Sequence, residues 1–145
     1  MTTTAAASSN SAPSTGKGMN IALWVLQVLL AFAFGMSGFM KATKPIEELA
    51  PMMSFVSVYS EGMVRFIGAS EVAGALGLLL PAALRILPVL TPVAAGALAV
   101  VMALAAQFHV SHGEADKMAP SIVLGVLCLI VAWGRFKIAP IQARR

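Results

Sequence analysis

The chain has 145 residues, 59% of them apolar and 11% charged, against about 45–50% and about 25% in an average soluble domain. That apolar excess is more than a water-soluble fold of this length can bury, so composition excludes a soluble globular domain and points to one small membrane domain. The net charge of +4 comes from Lys and Arg scattered at the ends of apolar runs, with no basic stripe of the kind a nucleic-acid surface requires.

Residues 1–19 are mostly Thr, Ala, Ser, Asn, Pro and Gly, with Lys17 the only charge. They offer too little apolar area to offset ordering entropy and read as a disordered polar tail. Four apolar stretches follow within 20–138: Asn20 to about Met40, about Val64 to Leu80 or slightly beyond, Pro88 to Phe108, and Met118 to Trp133. A spanning helix needs about 20 residues, with a range near 17–25. The first and third meet this directly. The second does so despite Glu71, and the fourth does so when Arg135 and Lys137 snorkel to the headgroups beside buried Phe136 and Ile138. Ala31-Phe32-Ala33 resembles a signal-peptidase site, but the apolar run continues to Met40, so the stretch reads as a retained helix. The predicted fold is all-α, a polytopic four-helix transmembrane bundle, followed by a short basic cytoplasmic tail at 139–145.

Orientation follows from charge. With both ends cytoplasmic, the inner side holds Lys17, Arg85, Arg135, Lys137, Arg144 and Arg145 and no acid. The outer half holds Lys41, Lys44, Arg65 and Lys117 with all six acids, so +6 and −2 make the net +4. The basic residues divide six to four, the sign of the positive-inside rule, and Trp24 and Trp133 fall near the inner ends as interfacial anchors. The longest connection, Lys41 to Gly62, lies outside. Pro45 followed by Glu47 and Glu48 reads there as the start of a short surface helix, broken near Pro51. The inner loop around Arg85 is short, so the second and third helices should be antiparallel neighbours. Small residues recur at helical spacing in Ala69, Ala73 and Gly77, in Ser70 and Gly74, in Ala95, Ala99 and Ala103, and in Ser121, Gly125, Cys128 and Ala132. In lipid such stripes let helix backbones approach closely.

Glu71 is the most informative residue. It lies about seven residues into its apolar stretch, roughly 10 Å deep, where a carboxylate is costly unless paired or protonated and is a functional candidate by default. Lys41, Arg65 and His109 share its half of the bundle and are candidate partners; with Glu71 they form the candidate ligand-binding set, and Lys41 and Glu71 are the catalytic candidates. His109 and His112 have ligand chemistry, but two histidines at i and i+3 leave a metal site incomplete, so no metal is assigned. Cys128, the single cysteine, excludes a disulfide within the chain and a CxxC pair and reads as a small packing residue. No GxGxxG, Walker, GxSxG or HExxH motif is present.

Gly35-Met36-Ser37-Gly38-Phe39-Met40-Lys41 and Ile67-Gly68-Ala69-Ser70-Glu71-Val72-Ala73-Gly74-Ala75-Leu76-Gly77-Leu78, with Leu79-Leu80-Pro81 following, resemble the small-residue run ending in Lys and the glycine-framed Glu of the DoxX-like family. The third helix ending in His109 and the short fourth helix fit as well, and the resemblance spans Asn20 to Phe136. It implies a four-helix bacterial inner-membrane protein, with lipid and other membrane or redox proteins as partners and a homo-oligomer compatible with it. It also implies a subunit of a thiol- or sulfur-linked redox system with quinone as acceptor. No cofactor is evident in the residues themselves, and the lack of a cysteine pair argues against direct thiol–disulfide chemistry. Two other classes compete: a small proton-coupled transporter using Glu71, and a non-enzymatic anchor or assembly factor. Small multidrug exporters carry their membrane glutamate in the first helix, which here has none. A reporter active only in the periplasm, fused after Arg145, is expected to be silent; an active fusion reverses the topology.

Overall fold

The computed structural model describes residues 15–145, and 1–14 of the expected tail lie outside them. Four helices are long and apolar enough to span a membrane: α1 (Thr15–Thr43), α3 (Glu61–Leu84), α4 (Leu90–Ser111) and α5 (Ala119–Trp133), the last prolonged by a π-helical turn at Gly134–Ile138. No strand occurs among the described residues. The protein is a multi-pass membrane protein. α1 packs chiefly on α3, α3 on α4, α4 on α5, and α5 closes the ring against α1.

The helix ends have local causes. α1 begins at Thr15 rather than at Asn20, so residues 15–19 are helical and not part of a disordered tail. Extending a formed helix adds one hydrogen bond per residue, and the long apolar segment has already met the nucleation cost. α3 starts three residues before the apolar run because Ser60 caps it, its hydroxyl accepting from the Met63 N–H at 3.3 Å, with Glu61 in the first turn against the helix dipole. α3 ends at Arg85 in the left-handed conformation, φ 58°. The short turn to α4 makes these two helices antiparallel neighbours, as the loop length requires.

Each buried stripe follows a 3.5-residue seam. On α3 the inward positions are Val64, Gly68, Glu71, Ala75, Leu78 and Ala82; on α1 they include Leu23, Gln27, Leu30, Phe34, Gly38 and Lys41. The small-residue stripes are used unevenly. Ala95 and Ala99 are buried, Gly125 faces Met102 and Gly77 faces Ala94, whereas Ala69, Ala73 and Ala103 lie on the outer surface. On α3 the true interface to α1 runs one position before that stripe, through Gly68, because the seam includes Glu71 and a charge there must turn inward.

The long connection folds onto one end of the bundle. α2 (Ile46–Leu49) is the expected short helix, ending before Pro51, and a 3₁₀ turn follows at Ser54–Ser57. Leu49 and Val56 bury against Val64 to form a second small core, so this segment roofs the helix ends. At the opposite end, Arg135 does not snorkel. It is 3% exposed and folded into the bundle, because Gln27 and Asn20 offer it oxygen acceptors there; Lys137 is exposed, as snorkelling requires. The 139–145 tail also folds back: the Arg144 N–H donates to the Arg85 carbonyl at 2.9 Å and Arg85 Nε to the Gln142 carbonyl at 2.9 Å.

At Gly38 and Gly68 the backbones of α1 and α3 meet directly. A Cβ on Gly38 would lie 2.6 Å from the Gly68 carbonyl, and one on Gly68 would lie 2.7 Å from the Gly38 carbonyl. Since these obstacles are backbone, Gly38→Ala is expected to force α1 and α3 apart and to cost about 1–3 kcal/mol. Gly35→Ala, whose Cβ would meet only Ala75 at 3.7 Å, should leave thermal unfolding in micelles nearly unchanged.

Candidate functional site

The Gly38–Gly68 crossing sets Glu71 beside Gly38 and Lys41 beside Gly68, and the Lys41 side chain reaches back one turn along α1, to the level of Ser37, to meet Glu71. Lys41 Nζ donates to both Glu71 carboxylate oxygens at 2.7 Å and to Ser37 Oγ at 2.8 Å, so its three N–H groups all have acceptors. Lys41 is 6% exposed and Glu71 1%. Glu71 stands ten residues after Glu61, roughly 15 Å along the helix. Buried to this extent, neither charge is open to water, and each offsets the desolvation of the other. Lys41 also occupies the last turn of α1, where the helix dipole favours a cation. The Phe55 ring from the roof lies 5.6 Å from Nζ, within cation–π range.

Arg65 serves the same corner without touching Glu71. Its Nη1 donates to the Lys41 and Lys44 carbonyls at 2.8 and 2.6 Å, and its Nη2 to Glu61 at 3.0 Å. It thereby caps the C-terminal carbonyls of α1, which no intrahelical donor reaches.

His109 belongs to a second group. Its Nδ1 lies 3.1 Å from Glu114 Oε2, and Glu114 Oε1 accepts from Ser54 at 2.7 Å and Lys117 at 2.7 Å. This clasp ties the roof, through Ser54, to the α4–α5 connection. Hydrogen bonds from Lys117, Ser54 and His109, in that order, hold the Glu114 carboxyl down at about 2 from 4.5. A carboxyl depressed on folding contributes stability that is full above 4.5 and lost as pH falls through about 2, so the clasp is intact at neutral pH. His112 is elsewhere again, stacked on Phe108 with ring centroids 4.0 Å apart. Among the described residues no three His, Cys, Asp or Glu side chains form a metal-holding group. Phe108 also meets Phe55 and Tyr59, at 6.3 and 5.6 Å, which makes a continuous aromatic group beside Lys41.

The structure thus joins Lys41, Glu71 and Arg65 at one corner and sets His109 in the clasp. Missed from the sequence were Ser37, Phe55 and Ser54, and a polar cluster at the other end. There Arg135 Nε donates to Gln27 Oε1 at 2.6 Å, Arg135 Nη1 to Asn20 Oδ1 at 2.6 Å, and Gln27 Nε2 to the Leu78 carbonyl at 2.7 Å. Pro81 deprives the same turn of α3 of one N–H donor. Spacing carried a signal: Gln27, Phe34 and Lys41 are seven apart on α1, as are Ser121, Cys128 and Arg135 along α5 and its π-helical extension. Cys128 is fully buried in the main core, consistent with a packing role.

Because one partner of a buried pair leaves the other uncompensated, Glu71→Gln and Lys41→Met are each expected to cost about 3–5 kcal/mol. The double variant should recover part of that loss in thermal unfolding, and strictly additive losses would refute energetic coupling of the two residues.

Nothing among curated proteins or solved structures matches the chain. The model of the DoxX-like family matches residues 25–131, from the first spanning helix into the fourth and across both Lys41 and Glu71. The chain belongs to the DoxX-like family.

Proposed function

We propose that the chain is the membrane subunit of a redox system and that its mixed-charge end receives a planar, carbonyl-bearing ring, a quinone head group. One conjunction carries the reading: a buried ammonium, Lys41, anchored by Glu71, lies under an aromatic group of Phe55, Tyr59, Phe108 and His112. Aromatic side chains offer a stacking surface for such a ring. The ammonium offers a charge-assisted donor to a carbonyl oxygen that gains negative charge on reduction. Conversion of a quinone to a quinol takes two electrons and two protons. Lys41 would pass one proton to a carbonyl oxygen and be reprotonated from water, and the second proton would reach the other oxygen from water as well, with His109, part-buried in the clasp, as the candidate relay. With one cysteine the chain has no dithiol of its own, so the electrons come from a partner oxidoreductase acting on a thiol or reduced-sulfur donor. The proposed setting is the bacterial inner membrane, with both termini cytoplasmic and the mixed-charge end outward.

A proton-coupled exporter requires a membrane glutamate that alternates between a proton and a cationic substrate. Both Glu71 oxygens already accept from a fixed cation, which weighs against that reading. An anchor or assembly role would need neither the buried pair nor its aromatic neighbours.

The test is equilibrium binding of a short-chain quinone to the purified full chain in nanodiscs. Phe55→Leu is expected to weaken binding about two- to tenfold. The charge-neutral Lys41→Met/Glu71→Gln variant should weaken it about tenfold or more, since a hydrogen bond from a charged group is lost. Binding absent in the parent chain, or equal in the parent and the charge-neutral variant, would refute the reading.

A further inference from the structure

The end opposite Lys41 and Glu71 holds charge that the chain does not balance. Lys17, Arg85, Arg135, Lys137, Arg144 and Arg145 gather there. No Asp or Glu precedes Glu47, lies between Glu71 and Glu114, or follows Asp116. Arg135 is the costly member, being buried with only neutral acceptors: Gln27, Asn20 and the Ala139 carbonyl. Its Nη2 is buried and has no hydrogen-bond partner among the described residues. The Trp24 ring lies 5.5 Å from its guanidinium carbon. An isolated buried cation of this kind is strongly disfavoured unless an anion approaches it.

A cleft of about 500 Å³ opens beside it. Asn20, Trp24 and Ala139, three of the residues in contact with the Arg135 guanidinium, line it together with Lys17 and Arg85. Gln142, whose carbonyl holds Arg85 Nε, lines the same cleft, so the folded-back tail fixes one of its cations. We infer that this cleft binds a phosphate-bearing anion, with Lys17 and Arg85 meeting the phosphate directly and Arg135 adding its charge from behind Asn20 and Trp24. Two sources carry that chemistry: the headgroup of an anionic phospholipid, and soluble phosphate. The inference is independent of the quinone reading, which concerns the other end of the bundle.

The experiment is thermal unfolding of the full chain in uncharged maltoside micelles, titrated separately with phosphatidylglycerol, phosphatidylcholine and inorganic phosphate. Phosphatidylglycerol should raise the midpoint by several degrees and phosphatidylcholine should not. Lys17→Gln/Arg85→Asn, altering exposed lining residues, should raise the half-saturating lipid concentration about fivefold for each cation removed. Arg135→Gln should unfold no earlier than the parent chain without anion and should lose most of the gain with it. A purely structural Arg135 would instead lower the midpoint equally in every lipid. A gain reproduced in full by inorganic phosphate supports the anion site and assigns its ligand to the soluble pool. Equal gains from the two lipids, or a phosphatidylglycerol gain unchanged in the Lys17→Gln/Arg85→Asn variant, would overturn the inference, whether or not Arg135→Gln folds.

Discussion

The contact between Gly38 and Gly68 governs the mixed-charge half of the molecule. In lipid no hydrophobic force draws two apolar helices together, so how closely they pack depends on what their surfaces allow. Two missing side chains let α1 and α3 meet backbone to backbone. Glu71 then lies beside Gly38 and Lys41 beside Gly68, and the Lys41 side chain, bent back along α1 toward Ser37, is close enough to Glu71 for direct hydrogen bonds. The buried pair is therefore a consequence of the crossing, and the crossing is in turn locked by the pair. Arg65 adds a third tie between the same two helices by holding the last carbonyls of α1.

The broad architecture was legible because the bilayer imposes it: the number and approximate extents of the four spanning helices follow from apolar runs, and the α3–α4 pairing follows from a short loop. The Lys41–Glu71 contact was legible as one of three candidates, since a carboxylate at that depth demands a cation and Lys41, Arg65 and His109 share its end of the bundle; the structure selects Lys41. Which face of each helix turns inward was harder to read. Alanines mark close packing and lipid-facing surface equally well, and Ala69 and Ala73 turned out to face outward. The reliable marker was the polar residue within the seven-residue seam, where Gln27, Lys41, Glu71 and Arg135 all lie. Arg135 was misread because a cation near a helix end ordinarily reaches for water. Its inward turn depends on Gln27 and Asn20, more than a hundred residues away in sequence, and no local pattern contains that partnership.

The two ends treat charge in opposite ways. At one end every buried charge has a counter-charge from the chain itself. Lys41 has Glu71, and the part-buried Glu114 has Lys117. The roof is pinned by the same clasp through Ser54, so this end is electrically closed and mechanically covered. At the other end a guanidinium is buried among amide and carbonyl oxygens beside an open cleft. Dipolar acceptors satisfy geometry without supplying charge, and the imbalance must be met from outside the chain.

The closed end bears directly on how a ligand could be received there. All three Lys41 N–H groups already have acceptors, so a carbonyl oxygen gains a bond from Nζ only by displacing one. Ser37 is the partner most easily exchanged, because a neutral hydroxyl gives up less than a carboxylate does and Ser37 shares α1 with Lys41. Glu71 must stay, since without it the ammonium would be an uncompensated charge deep in the bundle. Phe55, the roof residue over Nζ, must move to admit a ring, and its 3₁₀ turn is held to the rest of the protein by the Ser54–Glu114 bond. Access to Lys41 and the integrity of the clasp are therefore one question, and the glutamate that decides it is Glu114 as much as Glu71.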